Sequence, residues 1–355
     1  MDMNIENIVT PALIVQKSTF ESNAERMSAL LAGSSLKLRP HYKSHKCAAI
    51  AHQQIQSGAI GMTCAKLEEA LDLADSGIQD ILIANQITDA SKISRLAYLA
   101  KACRLTVCVD NEDNVAELEK AAALADSTVY CLVEYEIGME RCGVSSKEAV
   151  LSLAKRIDGC PHLVFDGIQA YAGHISHMVS EEERAQETQK NKEKIQELIR
   201  YLKENHVLPR VLSGGSTGTS VIKAKEALYT ELQAGSYLFM DATYSALELP
   251  FESSLFILCT VVSVSDTIIV VDAGVKSCGV DQGMPVPYGF SVSKIVASEE
   301  HLQLHMPSKQ LKVGEKVLLI PAHCCSTVNL HDRIYLLDGD QVVDRFLITA
   351  RGAFH

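Results

Sequence analysis

Between Thr10 and about Gly235 the chain repeats one pattern eight times: a short apolar run, then a longer segment whose apolar residues return at helical spacing. The apolar runs fall at residues 36–40, 61–65, 80–84, 105–110, 129–135, 166–171, 209–213 and 231–234. Helical spacing is plain in Leu67, Ala70, Leu71, Leu73 and Ala74, and a longer, more polar helix is expected over 181–205. Asp89 and Ser145 stand where helix N-caps belong. Eight strands alternating with helices predict a parallel (β/α)8 TIM-type barrel, with a doubly wound sheet as the alternative. The barrel is preferred because polar and glycine-rich residues follow the apolar runs, where a barrel builds its active site.

Beyond about Tyr244 the texture changes. Residues 255–264, 267–271, 290–296, 316–320 and 341–348 are β-branched runs with little helical signal between them, and they predict a separate β-rich domain. The expected division is a barrel over residues 10–244 and a β domain over 245–355, with residues 1–9 contributing to the latter. Acidic residues outnumber basic ones 44 to 33, for a net charge of -11, and no long Lys/Arg block occurs. Nucleic acid and anionic membranes are therefore excluded as main partners. The first residues are polar and acidic where a secretory signal is basic and then apolar, so a soluble, cytoplasmic protein is expected. Eleven cysteines, an odd number scattered singly, fit reduced thiols better than a disulfide framework.

Five stretches carry chemistry-bearing residues. RPHYKSHK (39–46) follows the first apolar run and crowds His41, Lys43, His45 and Lys46. Neighbouring positive charge disfavours a protonated lysine, which makes Lys43 a candidate for Schiff-base chemistry; a solvated basic turn is the plain alternative. SGGSTGT (213–219) combines glycines, which let the backbone approach a ligand, with hydroxyls, and its position between a strand and a helix suits a phosphate; a mere tight connection is the plain alternative. GMERCG (138–143) places Arg141 after a strand, where it can hold an anionic oxygen or simply begin a surface helix. GIQAYAGHISH (167–177) offers Gln169, Tyr171, His174 and His177, with the tyrosine able to stack on a planar group or to fill the core. In PAHCCSTVNLHD (321–332), His323 and Cys325 are two residues apart and would share one face of a strand, open to a metal ion, with a buried thiol beside a surface histidine as the plain alternative.

In this order these stretches, with TPALIV, ELQAGSYLFMD and VDAGVKS, resemble the fold-type III pyridoxal phosphate enzymes of the D-serine dehydratase and D-threonine aldolase group. The resemblance spans nearly the whole chain and implies an alanine racemase-like fold. It places the cofactor on Lys43, its phenolate oxygen on Arg141 and its pyridine face on Tyr171. Its phosphate falls to Ser213, Gly214, Gly215, Ser216 and Thr217, helped by Gly235 and Ser236. Where related alanine racemases carry an arginine facing the pyridine nitrogen, this chain has Gln233, and an uncharged partner leaves the ring a weaker electron sink.

The resemblance also implies a divalent metal on His323 and Cys325, zinc or another such as Mn2+, and a homodimer with shared active sites. Aldolases of the group generally carry aspartate where this chain has Cys325, so the resemblance favours zinc and the dehydratase branch. The leading expectation is thus a D-serine dehydratase, or a related β-hydroxy-D-amino acid dehydratase, giving a keto acid and ammonia. Aldol cleavage of the same substrates to glycine and an aldehyde is the alternative. A non-catalytic cofactor carrier is the third reading.

Overall fold

The computed structural model describes residues 3–355, which form two compact units. One contains Ser28–Lys43, Ala51–Gly235 and Ala353–His355; the other contains residues 3–27, Ser44–Ile50 and Ser236–Gly352.

The first unit is the expected barrel. Its eight parallel strands are Lys37–Leu38, Met62–Cys64, Asp80–Ile83, Arg104–Val109, Val129–Glu134, Leu163–Ala170, Val211–Gly214 and Glu231–Leu232. Each hydrogen-bonds to its sequence neighbour, the last pairs with the first, and a parallel bridge between His41 and Thr63 joins the first strand's end to the second. The sheet therefore closes, and no doubly wound order is present. Burial explains the apolar runs: every residue of Met62–Cys64 and all but the first of Arg104–Val109 are inside. The helix Leu67–Asp75 turns Leu67, Ala70 and Leu73 inward at the expected spacing. Asp89 caps Ala90–Leu99 by accepting from the Lys92 amide at 3.1 Å. The other expected cap falls on Ser146 rather than Ser145, its hydroxyl accepting from the Ala149 amide at 3.1 Å.

Asp80 and Glu231 open their barrel strands, and Arg39, just past the first strand, joins them. Arg39 is 5% exposed and grips Glu231 with two parallel bonds of 2.9 and 3.0 Å and Asp80 with one of 2.8 Å. A Cβ on Gly61 would stand 2.3 Å from the Arg39 guanidinium, so only glycine leaves room for it there.

In the second unit ten strands share one sheet system. Ala12–Gln16 lies between Leu255–Val264, to which it is antiparallel, and Arg333–Asp338, to which it is parallel. Leu13, Ile14 and Val15 are at most 1% exposed, as a central strand requires. Residues 10–27, read with the barrel from the sequence, thus join the β unit, together with Met3–Asn4 on the strand Gln341–Leu347. The runs at 255–264 and 316–320 form strands with those bounds, whereas the run at 290–296 gives only Lys294–Ala297. All eleven cysteines are free thiols. No described helix is long and apolar enough to cross a membrane.

Candidate active site

At the ends of the barrel strands a cavity of ≈ 200 Å³ is lined by His41, Lys43, Asn85, Arg141, Gln169, Tyr171 and Gln233 among others. Lys43 enters it because Pro40 ends the first strand and the chain then makes a single 3-10 turn, Tyr42–Ser44. The His41 ring accepts the Lys43 amide at 3.3 Å, which holds the imidazole beside the lysine. Two other basic residues of the same stretch have partners of their own. Lys46 donates to the Asn329 side chain at 2.9 Å, and the His45 ring meets Phe239 edge-on at 6.5 Å.

Arg141 and Tyr171, thirty residues apart, come together: the guanidinium is 5.8 Å from the ring centre. Glu134, the last residue of the fifth strand, is 4.0 Å from Arg141, and burial raises its pKa against the pull of Gln86 and Arg141. Gln233 is 5% exposed. Its amide donates to Gln169 at 2.7 Å and to the Ser213 hydroxyl at 2.9 Å. Its surroundings are neutral amides and a hydroxyl. Ser213 is wholly buried within its strand. Its hydroxyl thus serves the Gln233 amide, where the sequence pattern assigns it to a phosphate.

The glycine turn follows directly. Gly215 has φ +73°, a left-handed conformation that favours glycine. A Cβ on Gly214 would stand 2.2 Å from the Ala170 carbonyl, so a side chain there would push the neighbouring strands away from each other. A 3-10 turn, Thr217–Thr219, separates this turn from the helix Ser220–Glu226, and the Ser216 amide already donates to the Thr219 hydroxyl at 3.0 Å. Gly235 is buried, and Ser236 opens the 3-10 turn Ser236–Leu238. His174 packs against Gly138, 3.0 Å from where a Cβ would be, and His177 is half-buried.

In the β unit, His323 and Cys325 do not lie on a strand as expected. His323 is the residue before a short helix, Cys324–Val328, so the chain bends between the two. They still meet, and the contact is between side chains. The His323 Nδ1 is 2.7 Å from Asp281, which fixes the ring through that nitrogen. Burial acts to lower the His323 pKa, but Cys325 and Asp281 outweigh it and raise it to about 9. Fully buried Asp241 accepts from the Cys324 amide at 2.9 Å and so anchors the start of this helix. Cys324 itself points inward, with its Sγ 3.9 Å from that of Cys325. No third carboxylate, imidazole or thiol joins them in a ligand cluster among the described residues. An imidazole and a thiol are donors of the type that suit zinc.

Residues 15–243 match the alanine racemase N-terminal domain family, and residues 254–337 match a serine dehydratase domain family. The D-threonine aldolase of Arthrobacter sp is 36% identical over 98% of this chain and 94% of its own length. The chain belongs to the fold-type III pyridoxal phosphate enzymes of the D-threonine aldolase and D-serine dehydratase group. Within that group, the 3-hydroxy-D-aspartate aldolase of Paracoccus denitrificans is also 36% identical, over 99% of this chain and 94% of its own length. The D-serine dehydratase of Dictyostelium discoideum matches at 22% over 97% of both chains. A crystal structure of D-threonine aldolase from Filomicrobium marinum superposes with a TM-score of 0.96 at 34% identity, covering 100% of this chain and 99% of that one. Members of the group are pyridoxal phosphate-dependent lyases acting on small D-amino acids, and the barrel with its β domain is their fold.

Asp281, Asp241 and Asn85 were missed in the sequence. Asp281 is 42 residues from His323, and no spacing rule links them.

Proposed function

We propose that this chain cleaves 3-hydroxy-D-amino acids between Cα and Cβ, giving glycine and an aldehyde, with pyridoxal phosphate at Lys43 and a divalent ion at His323 and Cys325. The observation that carries the choice of cleavage is the 36% likeness, end to end, to two aldolases, against 22% to the dehydratase. It displaces the dehydratase reading that Cys325 favoured, since one ligand type sets the metal more directly than the bond that breaks.

The cavity's residues suit the cofactor. Its walls put an amine, a guanidinium, an aromatic face and a neutral amide on one space, beside a turn that only glycine can make. When bound, pyridoxal phosphate supplies an electron sink for the charge left on Cα. Lys43 would hold the cofactor covalently and afterwards carry the proton that Cα gains, balancing the one the substrate hydroxyl gives up to water as the aldehyde forms. Arg141 holds an anionic ring oxygen, and Tyr171 covers a ring face. Gln233, kept in place by Gln169 and Ser213, presents an uncharged amide, so the ring nitrogen gains no proton from it. Gly214, Gly215, Ser216 and Thr217 cradle the phosphate. His323, aligned by Asp281, and Cys325 would hold the ion, which would supply Lewis acidity for a hydroxyl oxygen.

The test is to load the protein with pyridoxal phosphate and Zn2+ or Mn2+ and offer D- and L-threonine, D-serine and 3-hydroxy-D-aspartate. Aldehyde, glycine, ammonia and keto acid are assayed together. Aldehyde and glycine from the D substrates alone are expected. Ammonia and pyruvate from D-serine would restore the dehydratase, and cofactor retained on Lys43 with no turnover would point to a carrier.

A further inference from the structure

Under the glycine turn lies a buried cluster that none of these roles uses. It comprises Lys223 and Glu226 of the helix Ser220–Glu226, and Tyr229 just after it. Lys223 is 5% exposed and Tyr229 3%. The Lys223 Nζ is 3.0 Å from the Glu226 carboxylate and 4.3 Å from the centre of the Tyr229 ring. Tyr229 in turn donates to the Ala170 carbonyl at 2.9 Å. Both side chains reach the turn. A Cβ on Gly214 would be 2.8 Å from the Tyr229 ring, and one on Gly215 would be 3.5 Å from the Lys223 stem. Gly215, Thr219, Lys223, Tyr229 and Asn191 also line a cavity of ≈ 10 Å³, about the room one water needs. The Asn191 Nδ2 is buried without a protein hydrogen-bond partner, as a group waiting on such a water is.

Stability alone does not account for this arrangement. Burial pulls the Lys223 pKa down while Glu226 opposes it, and a buried ion pair is often no more stable than apolar residues of the same volume. What the cluster does provide is rigidity at one place. Through Tyr229 it ties the Gly214–Gly215 turn to Ala170, the residue that precedes Tyr171. We propose that Lys223 and Tyr229 are positioning residues that hold this turn in the shape that receives the cofactor phosphate. The proposal rests on the cofactor reading above.

The experiment compares pyridoxal phosphate with pyridoxal, which has the same ring and aldehyde but no phosphate. Dissociation constants for both are measured by absorbance titration of the apo protein in Lys223→Met, Tyr229→Phe and the conservative Lys223→Arg, with urea midpoints alongside. Lys223→Met and Tyr229→Phe should weaken pyridoxal phosphate about tenfold or more, roughly 1.4 kcal/mol, and change pyridoxal by less than about twofold. Lys223→Arg should recover most of the loss. Equal weakening of both ligands would reduce the cluster to a general structural element, and unchanged pyridoxal phosphate affinity would overturn the proposal outright. If the wild type itself shows no preference for the phosphorylated ligand, it is the cofactor reading that fails. Should Lys223→Met not fold, the double variant Lys223→Met/Glu226→Gln, which strands no buried charge, is judged by the same criteria.

Discussion

Replacing Gly215 by alanine puts a number on the phosphate turn. The backbone there is left-handed at φ +73°, and holding an L residue in that region costs about 1–2 kcal/mol. The new Cβ would also lie 2.8 Å from the Leu232 Cδ1, so that side chain must leave its rotamer, at about 0.5–1.5 kcal/mol. Lys223 and Thr219, at 3.5 and 3.7 Å, are in ordinary contact and add little. The sum is roughly 1.5–3.5 kcal/mol. If the turn keeps its shape, this appears as lost apo stability. If it relaxes, it appears as pyridoxal phosphate bound about 10- to 300-fold more weakly. Urea unfolding of the apo protein and cofactor titration together recover the total. A Gly215→Ala protein unchanged in both, within about 0.5 kcal/mol, would refute the reasoning, because neither the strain nor the contact would then be real.

Three further outcomes follow from the same structure. Arg39→Met leaves Glu231 and Asp80 without their buried partner, so chemical denaturation should register a loss of about 3–5 kcal/mol. Asp281→Asn removes the carboxylate that aligns His323, and metal affinity, followed by competition with a chelator, should fall about 10- to 100-fold while cofactor affinity holds. His323→Ala should abolish turnover yet retain the cofactor, which separates the two sites by spectrum and by activity.

Much of the barrel was legible because its strands are buried on both faces. Met62–Cys64 and Val129–Glu134 read as apolar runs for that reason, and each has a polar residue or a glycine soon after it. Ala12–Gln16 was just as apolar, but a run of that kind does not say which sheet it joins. Its partners lie more than 200 residues away in Leu255–Val264 and Arg333–Asp338. His323 and Cys325 were legible as a pair while their geometry was not. The spacing fits a strand, but Asp241, through the Cys324 amide, anchors a helix start there. Asp281 and the cluster around Lys223 carried no local signal, since their meaning comes only from what the fold sets beside them. Cys325 favours the dehydratase and the end-to-end likeness favours the aldolase for a similar reason: Cys325 describes a ligand, whereas the bond that breaks depends on how the whole cavity presents the substrate.

That choice is tested most directly by turnover of D-threonine in D2O with product analysis by mass spectrometry. Aldol cleavage never breaks the Cα–H bond. The account therefore predicts glycine that keeps the original Cα hydrogen and gains a single solvent deuterium, with acetaldehyde in equal amount. Ammonia and a four-carbon keto acid, with no glycine formed, would contradict it.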